Sequence, residues 1–130
     1  LPEPASILVV EDDLGIRGAM VECLSLEGYS VAEASNGAEG LEYLRKAPAP
    51  KVIVLDLVMP VMNGTEFLER VRREPALSSI PVVLMTAAAM GASSAAWMPA
   101  ADLRLPKPFE LSALLALVAR FCGPAHIRTP

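Results

Sequence analysis

The sequence predicts an α/β fold with a five-stranded parallel sheet covered by helices on both faces, and two observations carry that prediction. Apolar runs of strand length alternate five times with segments of helical periodicity, a pattern that calls for crossover connections between parallel strands. The runs also lack the polar alternation of a half-exposed strand. Ile7–Val10 reads ILVV and Val52–Leu55 reads VIVL, as expected where both faces of a strand are buried. A chain of 130 residues is long enough for one domain with a substantial core.

The first strand is Ile7–Val10. Asp13 then stands where a helix N-cap is expected, ahead of a helix over Ile16–Glu27 with apolar Ile16, Met20, Cys23, Leu24 and Leu26. A second strand over Ser30–Ala34 leads to a helix at Ala38–Lys46 carrying Leu41 and Leu44. The third strand, Val52–Leu55, precedes a helix at Thr65–Arg73 with Phe67, Leu68 and Val71 on one face. The fourth strand is Pro81–Met85. A helix within Ala92–Met98 is weakened by Gly91, Ser93, Ser94 and Pro99. The fifth strand, Asp102–Leu105, and the clearly periodic helix Leu111–Phe121 complete the pattern. This gives an N-terminal extension at residues 1–5, a domain over 6–122, and a tail or linker remnant at 123–130, where turn-formers replace periodicity.

Composition excludes several classes. The apolar fraction is 53%, yet the longest apolar stretch, Val82 to Met90, is broken by Thr86 and falls short of the roughly 18 residues a spanning helix needs. No basic segment leads into an apolar one, so no secretory signal is visible, and a cytoplasmic location without membrane partners is expected. A net charge of −4 with no concentrated basic patch argues against direct nucleic-acid binding. Cys23 and Cys122 lack metal-ligand spacing and read as reduced, mostly buried thiols.

In such a sheet, function gathers where loops meet at the carboxyl ends of the strands, beside a topological switch point. The first strand delivers Glu11, Asp12 and Asp13 there, the third Asp56, the fourth Thr86, and the last Lys107 in LPKPF. Singly, each has an ordinary reading as a cap, a turn residue or an exposed charge. Asp56 resists it best, because it follows four aliphatics where a lone carboxylate would be costly to bury. Together they form a candidate site. Clustered carboxylates make a hard oxygen site suited to Mg²⁺, which keeps several waters and takes one or two protein carboxylates. With the cluster neutralised, Asp56 can act as a nucleophile toward phosphorus. Phosphoryl transfer is mostly positioning and charge stabilisation, for which Lys107 and the Thr86 hydroxyl or nearby backbone amides are suited. The expected product is an aspartyl phosphate.

These residues resemble the receiver domains of two-component response regulators, of the chemotaxis-receiver kind, over about Ser6 to Phe121. The matching motifs are ILVVEDD, VLDLVMPVMNG, VVLMTA and LPKPF, in the expected order on the expected elements. The resemblance implies a doubly wound sheet of strand order 2-1-3-4-5, an order common among such folds. It makes Asp56 the phosphoacceptor, Asp12 a direct Mg²⁺ ligand, Glu11 its neighbour acting largely through water, and Val58 a ligand through its backbone carbonyl. It also makes Thr86 the switch hydroxyl and Lys107 the site amine, aimed by a cis Lys107–Pro108 peptide, with Pro60 and Gly64 in the turn after the acceptor. The implied donor is a sensor histidine kinase or a phosphotransfer protein. The implied output is a domain or partner protein at the face formed by the fourth helix, fifth strand and fifth helix of the pattern. On this reading the domain is a phosphorylated signalling element rather than an enzyme, although it assists its own phosphorylation and slow dephosphorylation.

The sequence departs from the family pattern in places. An aromatic ordinarily stands three residues before the site lysine, where this chain has Arg104, expected to lie outward as a partner contact. The span from Thr86 to Lys107 is about one residue shorter than usual. No charged residue occurs from Pro75 to Ala101, and Ala87 through Ala101 holds eight alanines. With the nearly all-apolar LSALLALVARF, this suggests an apolar docking face for a homodimer mate or an adjoining domain. Val58 and Ala88 place no polar side chain to orient an attacking water, so self-dephosphorylation is expected to be slow. Val58→Asn with Ala88→Glu should change the hydrolysis rate of the phosphorylated protein, and an unchanged rate would contradict the argument. A phosphatase of the haloacid dehalogenase type would need a second Asp at position 58. The stronger alternative is a phosphorylation-independent pseudo-receiver acting as a protein-binding module.

Overall fold

The structure, a computed structural model, describes residues 5–56, 62, 64–87, 103–107 and 109–123. Five strands, β1 (Ile7–Val10), β2 (Val31–Ala34), β3 (Val52–Asp56), β4 (Val82–Ala87) and β5 (Leu103–Lys107), are joined in one sheet of order β2-β1-β3-β4-β5. Every pairing is parallel. The described helices are α1 (Leu14–Leu26), α2 (Gly37–Lys46), α3 (Gly64–Arg73) and α4 (Leu111–Cys122). The expected doubly wound α/β architecture and strand order are therefore observed. The helix read within Ala92–Met98 lies outside the described residues.

The pleat explains why the central strands read as unbroken apolar runs. On one face Leu8, Val10, Ile53, Leu55, Val82 and Leu84 pack against Leu41 and Leu44 of α2 and Phe67, Leu68 and Val71 of α3. On the other, Ile7, Val9, Val52, Val54, Val83 and Met85 meet Met20 and Leu24 of α1 and Leu114 and Val118 of α4. Successive residues alternate between two cores, so both sets must be apolar.

Helix ends are set by local chemistry. Asp13 caps α1, its Oδ1 accepting from the Ile16 N–H at 2.9 Å, so α1 begins at Leu14, two residues before the sequence expectation. It ends at Leu26, and the chain turns away just beyond the C-cap Glu27 at Gly28, whose φ of 94° lies in the left-handed region that glycine adopts without steric cost. Asn36 caps α2 by accepting from the Glu39 N–H at 2.9 Å. The Glu39 carboxylate in turn accepts from the N–H and hydroxyl of Ser35 at 3.1 and 2.7 Å. Those hydrogen bonds hold the Glu39 carboxyl below its ordinary pKa of 4.5. A carboxylate with a depressed folded-state pKa stabilises the fold above its unfolded value and loses that contribution as pH falls through the folded one. The stability gap between wild type and Glu39→Gln, followed by urea unfolding, is thus expected to close as pH drops below the ordinary glutamate range.

Cys23 and Cys122 are free thiols of intermediate burial, in keeping with the reduced, mostly buried cysteines expected. Each lies on a helix that packs one side on the sheet and leaves the other open. Burial raises both thiol pKa values, with Glu27 adding to the rise at Cys23 and Lys51 opposing it at Cys122. Both thiols therefore stay protonated and poorly reactive.

Candidate functional site

The C-terminal ends of the strands bring the acidic residues together. Glu11 follows β1 directly, and its N–H donates to the Ala34 carbonyl at 3.1 Å, continuing the β1–β2 ladder for one more bond. Val10 pairs with Leu55, so Glu11 stands level with Asp56, the last residue of β3. By pleat both fall on the face that carries Val9 and Val54, the one packed against α1 and α4. Asp12 is the single residue between Glu11 and the cap Asp13. One carboxylate oxygen each from Glu11, Asp12 and Asp56 lies within 4.8 Å of the others.

Burial is graded across this triplet. Glu11 is 0% exposed, Asp56 is 6% exposed and Asp12 is exposed. Like-charged carboxylates at such separations repel, and burial sharpens the repulsion, which a divalent cation would relieve. The donor set is all oxygen, with one member open to solvent, and it fits a hard divalent ion that retains water. No other group of three or more His, Cys, Asp or Glu side chains converges in this way among the described residues.

Thr86, 7% exposed, stands one residue beyond Met85, the partner of Asp56 across the β3–β4 ladder. The backbone of Lys107 ends β5 in register with Ala87. Five of the residues singled out from the sequence therefore occupy one rim of the sheet. Val58, Pro60, Ala88 and the Lys107–Pro108 bond lie outside the described residues. Arg104 is exposed, on the outward side expected of it.

Met62, after β3, is tied to the start of α2. The Gly37 N–H donates to the Met62 carbonyl at 3.2 Å, and a Cβ at position 37 would sit 2.7 Å from that same oxygen. Gly37→Ala is therefore expected to destabilise the protein by about 1–3 kcal/mol through overpacking, against a helix-propensity gain of at most about 1 kcal/mol. Urea unfolding checks the sign.

One residue in the site's surroundings was missed by sequence reasoning. Arg17, in the second turn of α1, donates through Nη1 to the Glu11 carbonyl at 2.9 Å and pairs through Nε with Glu33 of β2 at 2.9 Å. The available signal was a lone cation in the otherwise uncharged first half of that helix.

The chain matches the family described as "Response regulator receiver domain" over residues 7–119. It is 38% identical over 114 residues to the response regulator MprA of Mycolicibacterium vanbaalenii, covering 87% of this chain and 48% of that protein. The corresponding figures for MprA of Mycobacterium leprae are 37% over 113 residues, 86% and 48%. The chain thus spans about half the length of these curated relatives. Among solved structures, Vibrio cholerae chemotaxis protein CheY4 superposes with a TM-score of 0.81 at 31% identity, covering 92% of this chain and 99% of that one. The signal receiver domain of a histidine kinase from Syntrophus aciditrophicus gives 0.82 at 28% identity, with coverage of 91% and 89%. No helix among the described residues is long and apolar enough to cross a membrane.

Proposed function

Because the chain belongs to the response regulator receiver domains of two-component signalling, we propose that it accepts a phosphoryl group on Asp56 from a histidine kinase or phosphotransfer protein. The observation that carries this reading is the convergence of the Glu11, Asp12 and Asp56 carboxylates at the sheet rim.

Glu11, Asp12 and Asp56, with the Val58 carbonyl, would hold Mg²⁺, and the ion's chemistry there is to draw charge from phosphoryl oxygens. An Asp56 carboxylate oxygen attacks phosphorus, the new O–P bond forming as the bond from phosphorus to the donor's imidazole nitrogen breaks. The electron pair leaves with that nitrogen, which is reprotonated from solvent. Lys107 neutralises a second phosphoryl oxygen, and the Thr86 hydroxyl donates to a third. Burial of Asp56 limits water access to the acyl phosphate, in keeping with slow hydrolysis. Movement of Thr86 toward the phosphoryl group biases the face carrying β5 and α4, where an output domain, partner protein or second copy docks. Exposed Arg104 and Leu111, which is 39% exposed, suit that role.

Intact-mass spectrometry after incubation with acetyl phosphate and Mg²⁺ tests the reading. The expected result is one phosphoryl-sized adduct that fails to form in EDTA. A folded protein with no adduct under either condition would instead favour a phosphorylation-independent binding module.

A further inference from the structure

The Arg17 side chain is only 13% exposed, and nothing in the phosphoryl chemistry above uses it. Resting on the metal reading of the acidic rim, we propose that Arg17 is a positioning residue for the cation site: it fixes the backbone from which Glu11 and Asp12 project their carboxylates.

The argument begins with the position of Glu11. It lies past the end of β1, yet both of its backbone polar groups are held. Its N–H donates to the Ala34 carbonyl at 3.1 Å, and its carbonyl accepts from Arg17 Nη1 at 2.9 Å. The Glu11 carbonyl lies in the peptide plane that links Glu11 to Asp12, whereas the Glu11 N–H lies in the plane before it, so of these two bonds it is the one from Arg17 that fixes the Glu11–Asp12 peptide. On the other side of Asp12, Asp13 is immobilised as a cap, with Oδ1 accepting from the Ile16 N–H and its carbonyl accepting from the Arg17 N–H at 2.8 Å. Asp12 therefore bridges two anchored residues, and Arg17 contributes to both anchors, through its side chain at Glu11 and its main chain at Asp13.

The guanidinium is itself oriented. Nε pairs with Glu33 Oε1 at 2.9 Å, and Glu33 is fixed on β2 opposite Val9. A planar fork is suited to holding two acceptors at a set angle, which an ammonium does not reproduce. The Glu33 carboxylate also offsets the Arg17 charge, so the residue acts on the acidic rim through geometry more than through its field. Partners that orient metal ligands typically carry about 10–100-fold in metal affinity.

The positioning and charge accounts predict opposite signs. Removing a cation beside three carboxylates would tighten divalent binding if charge were the only effect, and would weaken it if Arg17 positions the ligands. Mn²⁺ titration of the intact chain, read by the electron paramagnetic resonance of free Mn²⁺, compares wild type with Arg17→Met and Arg17→Lys. Thermal unfolding without metal checks that each variant is folded. The expected result is about 10-fold weaker binding in Arg17→Met and a smaller loss in Arg17→Lys. Arg17→Lys keeps the charge, and it decides the question if Arg17→Met does not fold. Unchanged affinity in Arg17→Lys, or tighter binding in Arg17→Met, would overturn the inference and leave the metal reading standing. No Mn²⁺ binding by wild type would overturn the metal reading and this inference with it.

Discussion

Asp56→Asn is expected to abolish the phosphoryl adduct formed from acetyl phosphate, with no measurable residual acceptance on the neighbouring acids. The reason is nucleophilicity rather than shape. An amide has nearly the same outline as a carboxylate, so the side chain, 6% exposed at the end of β3, is replaced without opening a cavity. Its oxygen, however, carries no charge to attack phosphorus. Glu11 is fully buried and Asp12 is committed to the same cluster, so neither is expected to substitute. Intact-mass spectra of the variant beside wild type give the result, and a full-size adduct on folded Asp56→Asn would remove Asp56 from its proposed role.

The second large effect is structural. Phe67→Ala is expected to cost about 3–5 kcal/mol of stability, the range for truncating a buried aromatic, measured by urea unfolding. Phe67 is 0% exposed and fills the space between α3, α2 and the β1 face of the sheet. Gly40 of α2 leaves room for its ring: a Cβ there would stand 2.9 Å from Phe67 Cε1 and 3.1 Å from Val10 Cγ2. The two positions should therefore couple. Gly40→Ala would destabilise wild type, but in the Phe67→Ala background it should recover up to about 1 kcal/mol of helix propensity. Equal effects of Gly40→Ala in both backgrounds would show that the ring and the glycine do not share that space.

These two residues also show how differently site and scaffold could be read. The central strands were legible because each must be apolar on both faces, so Ile7–Val10 and Val52–Leu55 announce themselves without periodicity. The end of β1 at Val10 was read correctly, but the C-terminal limits of β3 and β4 were less legible. The ladder runs on through Asp56 in β3 and through Thr86 and Ala87 in β4, because backbone pairing continues where side chains turn polar. The start of α1 was placed late for a related reason. Gly15 and exposed Leu14 give no apolar face, although the Asp13 cap already fixed the boundary. Site residues on strand ends were visible from their order along the chain. Relations made only by folding were not: neither the burial of Glu11 beneath exposed Asp12, nor the tie from Arg17 to Glu11 and Glu33, nor the closeness of Gly37 to Met62 follows from any local pattern.

The central claim is that Asp56 carries the phosphoryl group, and the most direct measurement is to locate it. Borohydride reduces an aspartyl phosphate to homoserine, so reduction of the protein after treatment with acetyl phosphate and Mg²⁺, followed by tandem mass spectrometry of its peptides, reads the modified position. Homoserine at position 56, absent when Mg²⁺ is withheld, is the predicted result. Homoserine at position 12 or 13 instead, or at no position in a folded protein, would contradict the account.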